Sequence, residues 1–99
     1  MDPKLQKIME TKIDEVIRGS HEILAITGSL QSLIDKDNER EIAFGIALGR
    51  VYNAFHYQTR RVLKRNATDD EFRELVAMLS KRAGEIRKSL QPEKSVRLH

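Results

Sequence analysis

The feature that most constrains this chain is an apolar repeat of about 3.6 residues that fills most of the sequence between two prolines, Pro3 and Pro92. Side chains at this spacing lie on one face of an α-helix, whereas a half-buried strand needs strict alternation of apolar and polar residues. The sequence contains no such alternation, no internal repeat and no low-complexity segment. The pattern therefore predicts an all-α fold, organised as a small helical bundle.

The first apolar stripe begins behind Asp2-Pro3, which places a capping residue before a proline at the first helical position. Its members are Leu5, Ile8, Met9, Ile13, Val16 and Ile17. The stripe stays in phase past Gly19-Ser20, although glycine suits a helix end and serine can cap a new helix. Two interpretations remain open: three long helices, the first reaching about Lys36, or four helices with a break at Gly19-Ser20.

Two further helices are predicted behind sequences that have the form of capping boxes. Asn38 with Glu41 opens the second helix, which we expect to run to about Arg65, and Thr68 with Glu71 opens the third. The periodicity predicts that the second helix buries Phe44, Leu48, Val51, Tyr52, Phe55, Val62 and Leu63. It predicts that the third buries Phe72, Leu75, Val76, Leu79, Ala83, Ile86 and Leu90.

The length of 99 residues suits one domain, which we assign to residues 1–91, followed by a flexible C-terminal tail at 92–99. The sequence has no cysteine, so disulfides, cysteine-ligated zinc and thiol nucleophiles are excluded. No apolar run reaches the roughly 18 residues of a membrane span, and the N-terminal residues lack the apolar core of a secretory signal. We therefore expect a cytoplasmic protein without membrane contact.

Metal and cofactor chemistry are not expected either. The three histidines, His21, His56 and His99, are far apart in sequence and belong to no metal-binding motif. A glycine-rich phosphate loop requires a preceding strand, and none is predicted. The sequence thus predicts neither a metal site nor a cofactor.

The first half of the second helix predicts self-association. Gly45 and Gly49 are four residues apart, so they share a helix face, and Ile42 and Ile46 flank that face. A glycine costs about 1 kcal/mol relative to alanine inside a helix, so this spacing suggests that another backbone approaches closely. That backbone belongs either to a second copy, giving a homodimer through these four residues, or to the first helix of the same chain.

The second half of the same helix is polar and basic. Asn53, His56, Arg60 and Lys64 fall on one face, with Tyr57 adjacent. Arg61 belongs to the same basic run, and no acidic residue occurs between Arg50 and Arg65. The guanidinium of arginine makes bidentate hydrogen bonds to phosphates, so this face is a candidate site that binds nucleic acid irrespective of its base sequence. The alternative is an ordinary solvated helix face, whose cations complement the negative C-terminal end of the helix dipole.

The spacing of Arg50 and His56, with five residues between them, resembles the Arg-x4–6-His motif of the HEPN ribonucleases, which are small helical dimers that cut RNA at a joint site. The resemblance covers seven residues of one helix. It implies that Arg50 and His56 form a catalytic pair. We expect His56 to pack within the bundle instead, because no carboxylate stands three or four residues away to orient its ring.

Taken together, the residues predict a small intracellular, non-enzymatic helical-bundle protein that acts through protein–protein contacts and self-association. One alternative is sequence-tolerant nucleic-acid binding through the basic face between Arg50 and Arg65. The other is a HEPN-like ribonuclease. The sequence does not identify the protein partner.

Overall fold

The computed structural model describes residues 1–91 and confirms the all-helical fold class. Within that range four α-helices follow one another, and one turn of 3₁₀ helix, Lys36–Asn38, precedes the third. The α-helices are α1 Pro3–Arg18, α2 Ser20–Ser29, α3 Glu39–Leu63 and α4 Asp69–Ser89. The tail predicted at 92–99 lies outside the described residues.

The first apolar stripe is divided at Gly19, where ψ of 17° departs from helical geometry. The Gly19 N–H still donates to the Glu15 carbonyl at 2.9 Å, and the Glu22 N–H donates to the Gly19 carbonyl at 3.0 Å. A new helix therefore starts within one residue. A Cβ at Gly19 would lie 3.2 Å from the Glu15 carbonyl oxygen, so glycine relieves crowding at this bend.

Of the two alternatives, the structure has the break at Gly19-Ser20; the alternative of one helix to about Lys36 is wrong, because α1 ends at Arg18 and α2 ends at Ser29. The hydroxyl of Thr27 donates to the Leu24 carbonyl at 3.1 Å, and that of Ser29 donates to the Ile26 carbonyl at 2.8 Å. Serine and threonine hydroxyls that bond nearby carbonyls compete with continued helix formation. The chain then passes through turns at 30–34, where Leu33 is exposed.

Two of the three predicted caps are confirmed. The Asp2 carboxylate accepts hydrogen bonds from the N–H groups of Lys4 and Leu5 at 2.9 and 3.0 Å. The Thr68 N–H donates to Glu71 Oε1 at 2.9 Å, and the Glu71 N–H donates to Thr68 Oγ1 at 3.1 Å. This reciprocal pair is a complete capping box at the start of α4.

The capping box predicted for Asn38 and Glu41 is wrong. Asn38 closes the 3₁₀ turn and its side chain makes no capping hydrogen bond. Both carboxylate oxygens of Glu41 instead accept from the guanidinium of Arg87 on α4, at 2.9 Å each. Arg87 also lies 4.0 Å above the ring of Phe44, so these three residues join α3 to α4.

Helices α1 and α3 form the centre of the bundle, because each packs against all three other α-helices of residues 1–91. The early residues of α1 share grooves with the late residues of α3, so these two helices are antiparallel. Small residues of α3, Ala43 and Ala47, are fully buried in the core. The buried apolar set consists of Leu5, Met9, Ile13, Val16, Ile23, Ala43, Ala47, Val51, Phe55, Leu75, Met78, Ile86 and Leu90.

Three of the predicted core residues are exposed instead. Tyr52 of α3 is 49% exposed, and Phe72 and Val76 of α4 are 41% and 44% exposed. The reason is the rotation of each helix: α4 turns Leu75 and Met78 inward, which moves Phe72 and Val76 to its side. These large apolar groups therefore lie on the surface where α3 and α4 meet.

None of the helices within residues 1–91 combines the length and the apolar character that crossing a bilayer requires.

Candidate functional site

The outward side of α3 carries a row of residues that we call the α3 seam: Ile42, Gly45, Gly49, Tyr52 and His56. Successive members are three, four, three and four residues apart, which is the a/d spacing of a coiled-coil contact stripe. Gly45, Gly49 and Tyr52 are exposed, whereas Ile42 and His56 are half-buried. At 1.5 Å per residue the seam is about 21 Å long.

The two glycines of the seam face open space. A Cβ built on Gly45 or on Gly49 has no atom within 4 Å outside its own helix backbone and chain neighbours. The interpretation that they seat the first helix of the same chain is therefore wrong, and Ala43 and Ala47 are the small residues that the core uses. Ile46, the fourth predicted interface residue, is half-buried against the core and borders the seam.

Aromatic rings cluster at the C-terminal end of the seam. The Tyr52 ring meets the His56 ring edge to face, with centroids 4.7 Å apart, and meets the Phe72 ring at 6.1 Å. The His56 ring also contacts Phe55, at a centroid distance of 5.3 Å. Phe72 is followed one turn later by Val76, so α4 extends the seam with two further exposed apolar side chains.

His56 has one ring nitrogen in an unusual position. Its Nε2 is buried, and no hydrogen-bond partner reaches it from residues 1–91. Most buried polar atoms in proteins have a partner, in the protein or in ordered water. The ring thus packs as an aromatic group beside Tyr52 and Phe55, and its Nε2 has no partner among residues 1–91.

The seam contains no Asp, Glu, Lys or Arg. Between Glu41 and Arg60 the only charged residue of α3 is Arg50, and its guanidinium faces Glu22 of α2 at 3.5 Å. Arg50 and His56 are six residues apart and so point about 120° away from each other around the helix. The structure therefore does not bring the two HEPN-like residues together within one chain.

The predicted binding residues Asn53, His56, Arg60, Arg61 and Lys64 do not form one continuous row. Asn53 and Arg60 are exposed beside the seam, whereas Arg61 lies on the side of α3 that faces α1. Its Nε donates to Oε1 of Gln58, on the same helix, at 3.0 Å. Lys64 ends α3 in the left-handed conformation, with φ of 61°. The predicted face is therefore split between two sides of the helix.

A groove between α1 and α3 brings Arg61 beside three lysines of α1 that the sequence analysis did not single out. It has a volume of about 380 Å³ and is lined by Lys4, Lys7, Ile8, Thr11, Lys12, Glu15, Gln58 and Arg61. Lys4 and Lys7 are three residues apart, a spacing typical of one helix face. Nothing local to α1 indicates that this face lies beside Arg61, because the helices meet only through tertiary packing.

Arg65 has a structural role. Its two terminal nitrogens donate to the two oxygens of Glu71, each at 2.9 Å. These bonds, together with the Thr68 N–H that donates to the same carboxylate, lower the pKa of Glu71 from 4.5 to about 2. Arg65 thus fixes the turn between α3 and α4.

Arg82 of α4 is a second ion-pair centre. It donates to Glu85, Asp14 and Glu10, and hydrogen bonds to Glu85 and Asp14 raise its pKa. Asp14 and Glu10 belong to α1, so the cluster ties α1 to α4. Across residues 1–91, no three histidine or carboxylate side chains come together in a way that could hold a metal ion.

Comparisons of the chain with protein-family models, with curated proteins and with solved structures give no match.

Proposed function

We propose that the protein acts through protein–protein contacts and forms a homodimer in which the α3 seam packs against the seam of a second copy. The observation that carries this proposal is an exposed, uncharged helix face with coiled-coil spacing in a chain that is one-third charged. Charged residues are depleted, and aromatic residues enriched, in the buried centres of protein interfaces. The seam has both properties.

The glycines support a close helix–helix contact. Each lies inside α3, where glycine costs about 0.8–1 kcal/mol relative to alanine, and neither relieves a contact within its own chain. At a crossing of two helices, by contrast, a missing side chain lets the backbones approach. The two glycines would therefore allow the α3 helix of a second copy to approach closely.

Two-fold symmetry explains why the residues around the glycines are uncharged and apolar. In a two-fold dimer the same patch meets itself, so a neutral seam faces a neutral seam without repulsion between like charges. The exposed apolar groups beside the glycines, Tyr52, Phe72 and Val76, would lose contact with water in such a dimer. The His56 ring packs against Tyr52 within the seam, and its buried Nε2 has no hydrogen-bond partner among residues 1–91.

The test is sedimentation velocity of the purified chain between about 1 and 100 µM. The proposal predicts that the wild type approaches twice its chain mass of 11.4 kDa at the higher concentrations. The double variant Gly45→Gln/Gly49→Gln should remain at the mass of one chain. Glutamine is uncharged and favours helix more than glycine does, so it adds bulk to the seam without endangering the fold.

The matched control is Gly84→Gln, because Gly84 lies inside α4 and also faces open space. It should dimerise like the wild type. A wild type that stays monomeric at 100 µM would refute the proposal, and so would a double variant that dimerises as tightly as the wild type.

A further inference from the structure

The groove between α1 and α3 lies on a different side of α3 from the seam and has a different chemistry. Four of its eight lining residues are cationic, Lys4, Lys7, Lys12 and Arg61, and one is acidic, Glu15. The whole chain holds 18 basic and 15 acidic residues. The excess of three positive charges in the groove therefore equals that of the whole sequence, and the remaining charges balance.

The cations of the groove differ in how far they are already paired. Lys12 lies 3.3 Å from Glu15, on an exposed surface where such a pair contributes little. Within residues 1–91, Lys4, Lys7 and Arg61 have no carboxylate within 4.0 Å, in contrast to Arg65, Arg82 and Arg87. The structural arginines of the fold are thus paired, whereas the three groove cations are unpaired, as are the exposed Lys36, Lys81 and Lys88 within residues 1–91.

Arg61 is held in a fixed orientation. Its Nε donates to Oε1 of Gln58, a side chain that is 8% exposed, so the guanidinium is anchored on one side. The two terminal nitrogens then remain available to a ligand. An anchored arginine loses less conformational entropy when it binds an anion than a freely rotating side chain does.

An exposed aromatic residue lies one helical turn from Arg61, although it is not among the residues that line the groove. Tyr57 is 57% exposed and lies four residues before Arg61, hence one turn away on the same side of α3. Nucleic-acid proteins without sequence preference combine a positive groove that follows the phosphates with exposed aromatic rings on which unpaired bases stack. An acidic peptide would use the cations but has no base to place on Tyr57.

We propose that the α1–α3 groove binds the phosphate backbone of single-stranded nucleic acid through Lys4, Lys7 and Arg61, with one base stacked on Tyr57. Lys4 and Lys12 mark about 12 Å of groove along α1, at 1.5 Å per residue. The groove continues toward Val16 and Ala54, where a second hollow of about 200 Å³ is bordered by Lys12 and Arg50. Binding is independent of sequence because the groove contacts phosphates.

The experiment is fluorescence anisotropy with a 5′-labelled 12-nucleotide oligouridine, measured from 50 to 200 mM salt. The triple variant Lys4→Gln/Lys7→Gln/Arg61→Gln should bind about tenfold or more weakly at 50 mM salt than the wild type. Its slope of log affinity against log salt should be shallower by about 2, because each phosphate contact on a single strand contributes about 0.7.

A charge-matched control separates the groove from net charge. Lys36→Gln/Lys81→Gln/Lys88→Gln removes the same charge from three exposed lysines outside the groove and should bind nearly as the wild type does. Tyr57→Ala should weaken binding about tenfold and Tyr57→Phe should not, because a stacked base contributes about 1–3 kcal/mol.

Three outcomes would overturn the inference. The first is no measurable binding of the oligouridine at 50 mM salt. The second is equal loss in the groove variant and its control. The third is that a 12-residue polyglutamate competes as well as unlabelled oligouridine and that Tyr57→Ala changes neither affinity. This outcome would identify an acidic protein segment as the ligand of the groove. A blunt duplex of equal length should compete poorly, because its bases cannot stack on Tyr57.

Discussion

Replacing Gly45 and Gly49 together by alanine is expected to stabilise the monomeric fold by roughly 2 kcal/mol. Both residues lie inside α3, and a Cβ on either meets no atom within 4 Å, so alanine fits without strain. Each replacement then contributes the helix-propensity difference of about 0.8–1 kcal/mol, chiefly by restricting the unfolded chain. For a domain of this size the melting temperature should rise by roughly 8–16 °C.

The assay is urea unfolding followed by circular dichroism at about 1 µM and again at about 100 µM. At the low concentration we expect mostly monomer, so the full gain should appear. At the high concentration the wild type also gains stability from dimerisation, whereas the added methyl groups separate the two seams. The advantage of the double variant should therefore shrink as the concentration rises.

Gly84→Ala is the internal standard, because Gly84 is helical and equally open but lies outside the seam. It should stabilise the chain by about 1 kcal/mol at both concentrations. A double variant that is destabilised at 1 µM would refute the reasoning, because the glycines would then be packed within one chain. A gain that is identical at both concentrations would show that they are not part of an interface.

Three further predictions concern individual side chains. Glu71→Gln should lower the unfolding free energy at pH 7 by about 1.5–3 kcal/mol through weakened bonds to Arg65. Because the pKa of Glu71 is about 2 in the fold, the wild type should lose this stability as pH falls from about 4.5 toward 2, and the variant should not. Lys64→Gly should raise the melting temperature, with a gain of about 1 kcal/mol, because φ at Lys64 is 61°. Incubation with RNA, analysed on denaturing gels, should show no cleavage that depends on Arg50 or His56. Cleavage abolished by both Arg50→Ala and His56→Ala would establish the ribonuclease instead.

Features set by local sequence were predictable. The cap at Asp2 and the capping box of Thr68 and Glu71 depend on residues within one helical turn, and the structure has both. The capping box predicted for Asn38 does not form, because Glu41 binds Arg87, which is 46 residues away in sequence. A competing long-range ion pair leaves no local signal.

The rotation of each helix about its own axis could not be predicted from the sequence. Periodicity placed Tyr52 and Phe72 in the core. However, the apolar stripe of each helix is wider than the surface that its neighbouring helices cover, so the sequence does not show which edge of the stripe is buried. The core of α3 is centred on Ala43, Ala47 and Val51 instead, which turns the glycines outward. The basic groove could not be predicted for a related reason, since only the packing of α1 on α3 brings Lys4 and Lys7 beside Arg61.

Disulfide trapping tests the α3 seam most directly, because the sequence contains no cysteine of its own. Gly45→Cys and Gly49→Cys would each be oxidised alone and as a mixture in which one variant carries an affinity tag. A disulfide requires Cα atoms about 4.4–6.8 Å apart, so only residues at a close crossing can be linked. Self-linkage of both variants would indicate parallel seams, and linkage only in the mixture would indicate antiparallel seams that cross between the two glycines. Self-linkage of one variant alone would place the crossing at that glycine.

We predict rapid formation of a linked dimer in at least one of these three samples, and none with Gly84→Cys at the same protein concentration. Linkage that is equally slow for Gly45→Cys, Gly49→Cys, their mixture and Gly84→Cys would contradict the claim that two copies meet at the α3 seam.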